Sequence, residues 1–254
     1  KKKGFIKDWM INWEYQDNKL TNYSSDLPND FYVYKGKGEL IKWFNWGSKQ
    51  EKPDYFGKEE EKENLLELSK NKDYEILDNL NLEYPEEKYK DYVGINNVQD
   101  YIFQNLYPTP SRYKINKILD FGAGYGRQLN LWSQLTNNLV YVSMDAIEKS
   151  YCLQNIYYSQ FEKPFHEYIK LKNDFEIKEK DGIYHLPTWR KELLPDNFFD
   201  LIICCQVLQE LNAKLFKEMI KTFYRVLSPG GALYIRNSDK PMGAQDLNTT
   251  DYLK

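Results

Sequence analysis

The sequence predicts an α/β fold: a mostly parallel sheet with helices on both faces, preceded by a mostly helical appendage. Three observations carry that prediction. From residue 115 onward, short apolar segments alternate with stretches of helical period, the pattern of parallel strands joined by right-handed crossovers. The first of these, in ILDFGAGYGRQ (118–128), runs from a strand through three glycines into a helix. The second ends in an acidic residue, Asp145, 19 residues beyond Gly126.

The elements follow in order. Residues 1–60 hold Trp9, Trp13, Trp43 and Trp46 among polar residues and glycines, and FYVYKGKGELIKWFNWG (31–47) has no clean period of either kind. It reads as irregular structure with a short strand or hairpin. Lys58 to Asn81 carries Leu65, Leu68, Ile76, Leu77 and Leu80 among many charges and reads as helix, with the charge run as its solvated face. Asn96–Leu106 places Val98, Tyr101, Ile102 and Leu106 on one helical face, and Pro108-Thr109-Pro110 stops it. A boundary set at residue 94 divides the chain into an aromatic-rich region, 1–94, and an α/β domain, 95–254.

Beyond the prolines the reading is regular. Strands are expected at 115–124, 139–145 and 182–187, within LPDNFFDLIICCQVL (194–208), and at 228–239 after the turn in SPGG. Helices are expected at Gln128–Leu135, Glu148–Phe161 and Asn212–Leu227. The polar stretch Phe165–Asp181 exceeds an ordinary connection and is assigned an extra helix and loop.

Composition excludes several classes. Thirty-five basic and 38 acidic residues give a formal charge of −3, which does not suit a nucleic-acid binder working by bulk charge. No apolar run approaches the roughly 20 residues of a membrane span. The basic start KKKGFIKDWMINW is interrupted by Asp8 and Asn12, so it makes no signal peptide. Three cysteines, two of them adjacent in an apolar strand, make no disulfide framework and suit a cytoplasmic location. Lysine outnumbers arginine 30 to 5 and there are 22 tyrosines, a bias that an AT-rich genome produces.

The glycine loop selects its ligand. Dinucleotide binding wants G-x-G-x-x-G with a pyrophosphate on the helix N-terminus. Here Gly122, Gly124 and Gly126 are spaced G-x-G-x-G, and Arg127 stands where the third glycine would be. Asp120, just before the loop, would repel a pyrophosphate but suits a ligand with a cationic amino group. Asp145 can accept from both hydroxyls of a ribose. Together these point to S-adenosylmethionine.

On LDFGAGYG, VSMD, FFDLIICCQVLQEL and RVLSPGGALYI, the sequence resembles the class I S-adenosylmethionine-dependent methyltransferases over roughly residues 95–240. The resemblance implies a Rossmann-like sheet. It places Asp120, Gly122, Gly124 and Gly126 against the methionine part of the cofactor and Asp145 on the ribose. Ala146 and Ile147 are implied beside the adenine, with Cys205 and Gln206 near the sulfonium. Gln99, with Tyr92 and Tyr101, precedes the core where it would close over cofactor or acceptor. NNVQDYIF with ILDFGAGYGRQLNLW is similar to bacterial sugar O-methyltransferases of surface-polysaccharide pathways. One departure is plain: the family's sheet ends in a strand hairpin, and about 15 residues after Asp239 leave it short or missing.

The acceptor expected is a small molecule, with neither nucleic acid nor membrane as partner and no metal site. A sugar hydroxyl needs a base within hydrogen-bond reach, whereas a phosphoryl or carboxylate oxygen needs a cationic clamp. Glu210 and His185 are the candidate bases, with His166 behind them. Arg236, followed by Asn237 and Asp239, is the candidate clamp at the end of the fifth strand. Trp43 and Trp46 are candidate platforms for a sugar face. A nicotinamide-dependent oxidoreductase and a catalytically silent cofactor-binding subunit are the competing readings.

Overall fold

The computed structural model describes residues 34–47, 59–84, 94–106, 114–208, 211 and 213–236. Six strands form one sheet: β1 (Lys117–Phe121), β2 (Val140–Asp145), β3 (Phe165–Glu167), β4 (Gly182–Pro187), β5 (Phe199–Cys205) and β6 (Leu227–Arg236). Their order is β3-β4-β2-β1-β5-β6, and every described pairing is parallel. The chain moves outward from β1 through β2 to the edge strand β3, steps back to β4 between β3 and β2, then crosses to β5 on the other side of β1. The order reverses between β1 and β5, and a sheet of this kind opens a crevice for ligands at the carboxyl ends of its strands there.

The pleat sorts the side chains onto two faces. Leu119, Phe121, Val142 and Ile202 point into one core, closed by Phe216, Met219 and Phe223 of α7 (Ala213–Val226). Ile118, Tyr141, Ile183, Leu201 and Ile203 point into the other. That second core is closed by α4 (Leu129–Leu135) and α5 (Glu148–Tyr158), and also by α1 (Glu39–Gly47) and α2 (Glu59–Asn79). α3 (Ile95–Leu106) packs through Val98 and Ile102 against Leu131 of α4. Leu40, Phe44, Ile76 and Leu77 thus share one core with the sheet, so the helices before residue 94 contribute to the same apolar layer as those after it.

Three local expectations are corrected. Residues 39–47 are a helix rather than a hairpin, because Leu40 and Phe44, one turn apart, are both buried. Residues 165–181 contain the edge strand β3 before a single-turn α6 (Tyr168–Leu171), and β3 pairs with β4 over only three residues. SPGG is a bulge in β6: Phe199 pairs with Leu227 but Leu201 pairs with Ala232, so the extra residues loop out, with Gly230 at φ +83°. The C-terminal edge, where the strand hairpin is expected to be short or missing, falls on residues 237–254, outside those described.

Candidate functional site

The site begins where β1 ends. Gly122 N–H donates to Met144 O at 2.8 Å, one rung beyond the ladder, and the chain then turns with Gly122 and Gly124 at φ +71° and +62°. The three glycines do different work. A Cβ at Gly122 would strike Val207 Cγ2 at 2.2 Å, and one at Gly126 would strike Tyr158 Cε1 at 2.5 Å. At Gly124 it would meet, among the described residues, only Trp43 at 4.0 Å. Gly126 is therefore a packing glycine against α5, and Gly124 is the point where the backbone faces open space.

Asp145 closes β2 beside this loop. Its Oδ1 accepts from Ile147 N–H and its Oδ2 from the Gln154 amide, both at 2.8 Å. Burial raises its pKa to about 6 against the lowering effect of those donors. Asp120 sits beneath the loop, 1% exposed, with Oδ2 accepting from Tyr141 O–H at 2.6 Å. Burial raises its pKa to about 7. Ala146 and Ile147 are half-buried between β2 and α5. Cys205 ends β5 opposite Arg236, and Gln206 turns away at φ +61° with its N–H on Arg236 O at 2.6 Å.

A buried polar cluster stands next to Cys205. Asp100 of α3 is wholly buried and accepts from Arg127, from Gln128 at 2.8 Å and from Tyr234 at 2.8 Å, with Arg236 Nε at 3.3 Å. The two arginines hold its carboxyl below the usual range despite burial. Arg127, which displaces the third dinucleotide glycine, is thus the partner of a helix that precedes the domain core. Gln99, next to Asp100, is half-buried on the same helix.

α1 crosses the loop from the other side. Its Phe44 and Trp43 rings lie 5.0 and 6.4 Å from that of Tyr125, and Glu39 pairs with Lys149 of α5 at 2.9 Å.

The structure does not bring every expected residue to the crevice. His185 lies on β4 with no exposed surface, its Nε2 at Gln154 Oε1 (2.7 Å) and its ring stacked on Tyr151 at 3.7 Å. Burial lowers its pKa well below the usual value. A base must reach the proton it removes, and this ring has no such access. His166 stacks on Tyr184 at 4.7 Å on edge strand β3, three strands out from β1. Arg236 turns back onto Asp100 instead of standing free. Glu210, Tyr92, Asn237, Asp239 and the side chain of Trp46 lie outside the described residues. Sequence reasoning missed Asp100 and Gln154. Asp100 lies within NNVQDYIF without being singled out there and Gln154 belongs to no motif, so each is identified only by what it touches across the fold.

The family model for a methyltransferase domain matches residues 119–235, somewhat less than half of the chain. Residues 119–235 are thus similar to a methyltransferase domain. Its cofactor is S-adenosylmethionine. The match begins at Leu119 inside β1 and ends at Ile235 inside β6, so it takes in the glycine loop, Asp145 and the end of β5. No curated protein gives a significant match to the chain. Among solved structures the chain is similar to a protein of Galdieria sulphuraria described as a sarcosine dimethylglycine methyltransferase, at 19% identity and a TM-score of 0.40, covering 57% of this chain and 48% of that one. It is similar to the PH0226 protein of Pyrococcus horikoshii at 16% identity and a TM-score of 0.38, covering 59% and 58%. It is also similar to Haemonchus contortus phosphoethanolamine N-methyltransferase 2, solved with S-adenosyl-L-methionine, at 18% identity and a TM-score of 0.34, covering 55% and 27%. The chain thus spans about half the length, or less, of these structures. Among the described residues no helix is long and apolar enough to cross a membrane, and no cluster of three or more His, Cys, Asp or Glu is placed to hold a metal.

The residues of the methyltransferase domain fit the cofactor. Among the described residues Gly124 leaves the backbone open, and the buried carboxyls of Asp145 and Asp120 stand beside and beneath that loop.

Proposed function

We propose that the methyltransferase domain transfers a methyl group to an oxygen of a small molecule, a sugar or a nucleotide- or phosphate-linked precursor of a surface polysaccharide. The region 1–94 serves as its acceptor lid. One observation carries the lid: Trp43 of α1 is the described side chain standing over Gly124, at the open face of the glycine loop. Its indole gives an apolar platform of the kind a sugar face packs on.

The bound cofactor supplies a methyl group on a sulfonium leaving group. This chain's residues orient and exclude water, which is how methyl transfer is chiefly accelerated. Asp145 takes the ribose hydroxyls and Asp120 the ammonium group, with the Gly122–Gly124 backbone against the methionine chain. Ala146 and Ile147 flank the adenine. Cys205 and Gln206 line the sulfonium end, with Gln99 above from α3.

A second reading has a specific observation in its favour. With His185 sealed beneath α5, an acceptor oxygen that is already anionic, phosphoryl or carboxylate, needs no base. Arg236, ion-paired with Asp100, ends β6 beside Cys205 and is the candidate cation at that end of the sheet. An acceptor screen measuring S-adenosylhomocysteine release decides between them, with neutral nucleotide-sugar hydroxyls in one arm and phosphoryl and carboxylate metabolites in the other. Release with the first group supports the sugar reading, and release with only the second transfers it to Arg236. Cofactor binding with no release from any acceptor makes the chain a silent subunit and overturns both.

A further inference from the structure

Gln154, in the middle of α5, has no exposed surface, yet its side chain touches three parts of the site. Its Nε2 lies 2.8 Å from Gly124 O and 2.8 Å from Asp145 Oδ2. Its Oε1 lies 2.7 Å from His185 Nε2 and 3.5 Å from Ser143 Oγ. A carbonyl and a carboxylate only accept, so the amide nitrogen belongs on their side and spends one N–H on each. The oxygen then faces His185, and Nε2 of the imidazole must carry a hydrogen. Nδ1 is then left without a hydrogen; the atom opposite it is Asn155 Oδ1 at 3.4 Å, and turning that amide over brings its N–H to the ring.

With the Asn155 amide turned over, the remaining hydrogen bonds chain without a conflict. Tyr158 O–H donates to Ser143 Oγ at 2.8 Å, which leaves the serine hydrogen free for Gln154 Oε1. Turned over, the amide would set its oxygen against the Asp145 carboxylate and the Gly124 carbonyl, with its N–H groups against an N–H donor. Burial, which leaves no water to compensate, makes that orientation costly. Burial also keeps the imidazole neutral, and the stack on Tyr151 fixes its plane.

We propose that His185 and Gln154 form a positioning pair: the imidazole N–H selects one orientation of the amide, and the amide ties the ribose carboxylate to the glycine loop. Neither residue touches the reacting atoms. The proposal rests on the assignment of Asp145 to the ribose and of Gly124 to the methionine chain. It gives the buried histidine a task other than base, and it explains why a glutamine rather than an apolar residue faces β2.

Calorimetric titration of the full chain with S-adenosylhomocysteine tests it in His185→Phe, His185→Gln and Asp145→Ala, with thermal melting as the check on folding. Phenylalanine keeps the ring on Tyr151 and removes the donor, whereas glutamine keeps an N–H at similar reach and removes the ring. The expected result is about tenfold weaker binding in His185→Phe, the equivalent of one buried hydrogen bond, with most of the affinity recovered in His185→Gln. Parental affinity in His185→Phe overturns the proposal, and so does equal loss in both variants, which would make the ring's packing the cause. Unchanged affinity in Asp145→Ala alongside loss in His185→Phe removes the ribose assignment but keeps the tie to Gly124. Should His185→Phe fail to fold, Gln154→Met carries the same expectation of about tenfold loss, and unchanged binding there overturns the pair.

Discussion

Burial lifts the carboxyl of Asp145 to about 6, against the pull of the Ile147 N–H and the Gln154 amide, and that value sets a pH dependence. On the proposed assignment of Asp145 to the ribose and Asp120 to the ammonium group, cofactor binding favours both ionised carboxylates. Affinity should begin to fall below about pH 7 as Asp120 protonates and fall more steeply below about pH 6 as Asp145 follows. Titration of S-adenosylhomocysteine between pH 5 and 8 reads this directly. A flat profile, or unchanged affinity in Asp145→Ala, removes Asp145 from the site. The glycines divide just as sharply. Gly126→Ala puts a methyl 2.5 Å from Tyr158 at φ +100°, and it should cost stability by about 2–4 kcal/mol in chemical denaturation. Gly124→Ala enters open space at φ +62° and should cost only about 1 kcal/mol of stability, while weakening cofactor binding. At this scale the glycine turn between two strand-ending aspartates was legible because the turn is local. Gly126 was legible as a glycine but not as a packing residue, because Tyr158 is 32 residues away in sequence.

Elements meet through buried charge. Asp100 joins α3 to the β1–α4 turn through Arg127 and Gln128, and to β6 through Tyr234 and Arg236. Asp100→Asn preserves shape but leaves two largely buried guanidiniums without their counter-charge. It should destabilise the fold by about 3 kcal/mol in denaturant unfolding, whereas Asn105→Ala, on an exposed position of the same helix, should be near neutral. A change under 0.5 kcal/mol in Asp100→Asn would show that the pairs contribute nothing net. Strand and helix positions from 117 to 236 were legible as elements to within a few residues, since period and glycine punctuation are properties of a short window. α1 and β3 were not. α1 is short, and three of its nine residues are aromatic, which masks its helical period; β3 has three residues and exists through its pairing with β4.

Across the whole molecule, burial of carboxylates gives the stability curve its slope. Asp73 and Asp120 are raised to about 7 and Asp145 to about 6, in each case first by desolvation. The folded state therefore holds protons that the unfolded chain, with aspartate near 3.9, has released. Their contribution is complete below about pH 4 and is lost as pH rises towards 7. Asp100, lowered by its arginines, acts in the opposite sense and only at the acid end. Urea unfolding should show stability falling between pH 5 and 7.5 in the free protein. A rise over that range would mean that these carboxyls are ionised in the folded state. Bound cofactor should flatten the slope, because ionised Asp145 and Asp120 then have partners.

The sequence alone determined the domain's class and its cofactor, because strand, glycine turn and terminal aspartate are read within some thirty residues. It also marked the aromatic N-terminal region as unusual. What the tyrosines beyond residue 94 do was decided by tertiary structure. Tyr141, Tyr151, Tyr157, Tyr158 and Tyr184 are wholly or almost wholly buried, and each hydroxyl has a partner: Asp120, Glu167, Asp73, Ser143 and the Lys180 carbonyl. A tyrosine excess that reads as genome bias is, at these five positions, the lining of a core whose polar groups are satisfied from within. Tertiary structure also turned His185 from a candidate base into the partner of a buried amide, and set Trp43 over Gly124. Those assignments depend on side chains meeting across 30 to 81 residues of chain, and a window of sequence carries no term for such meetings.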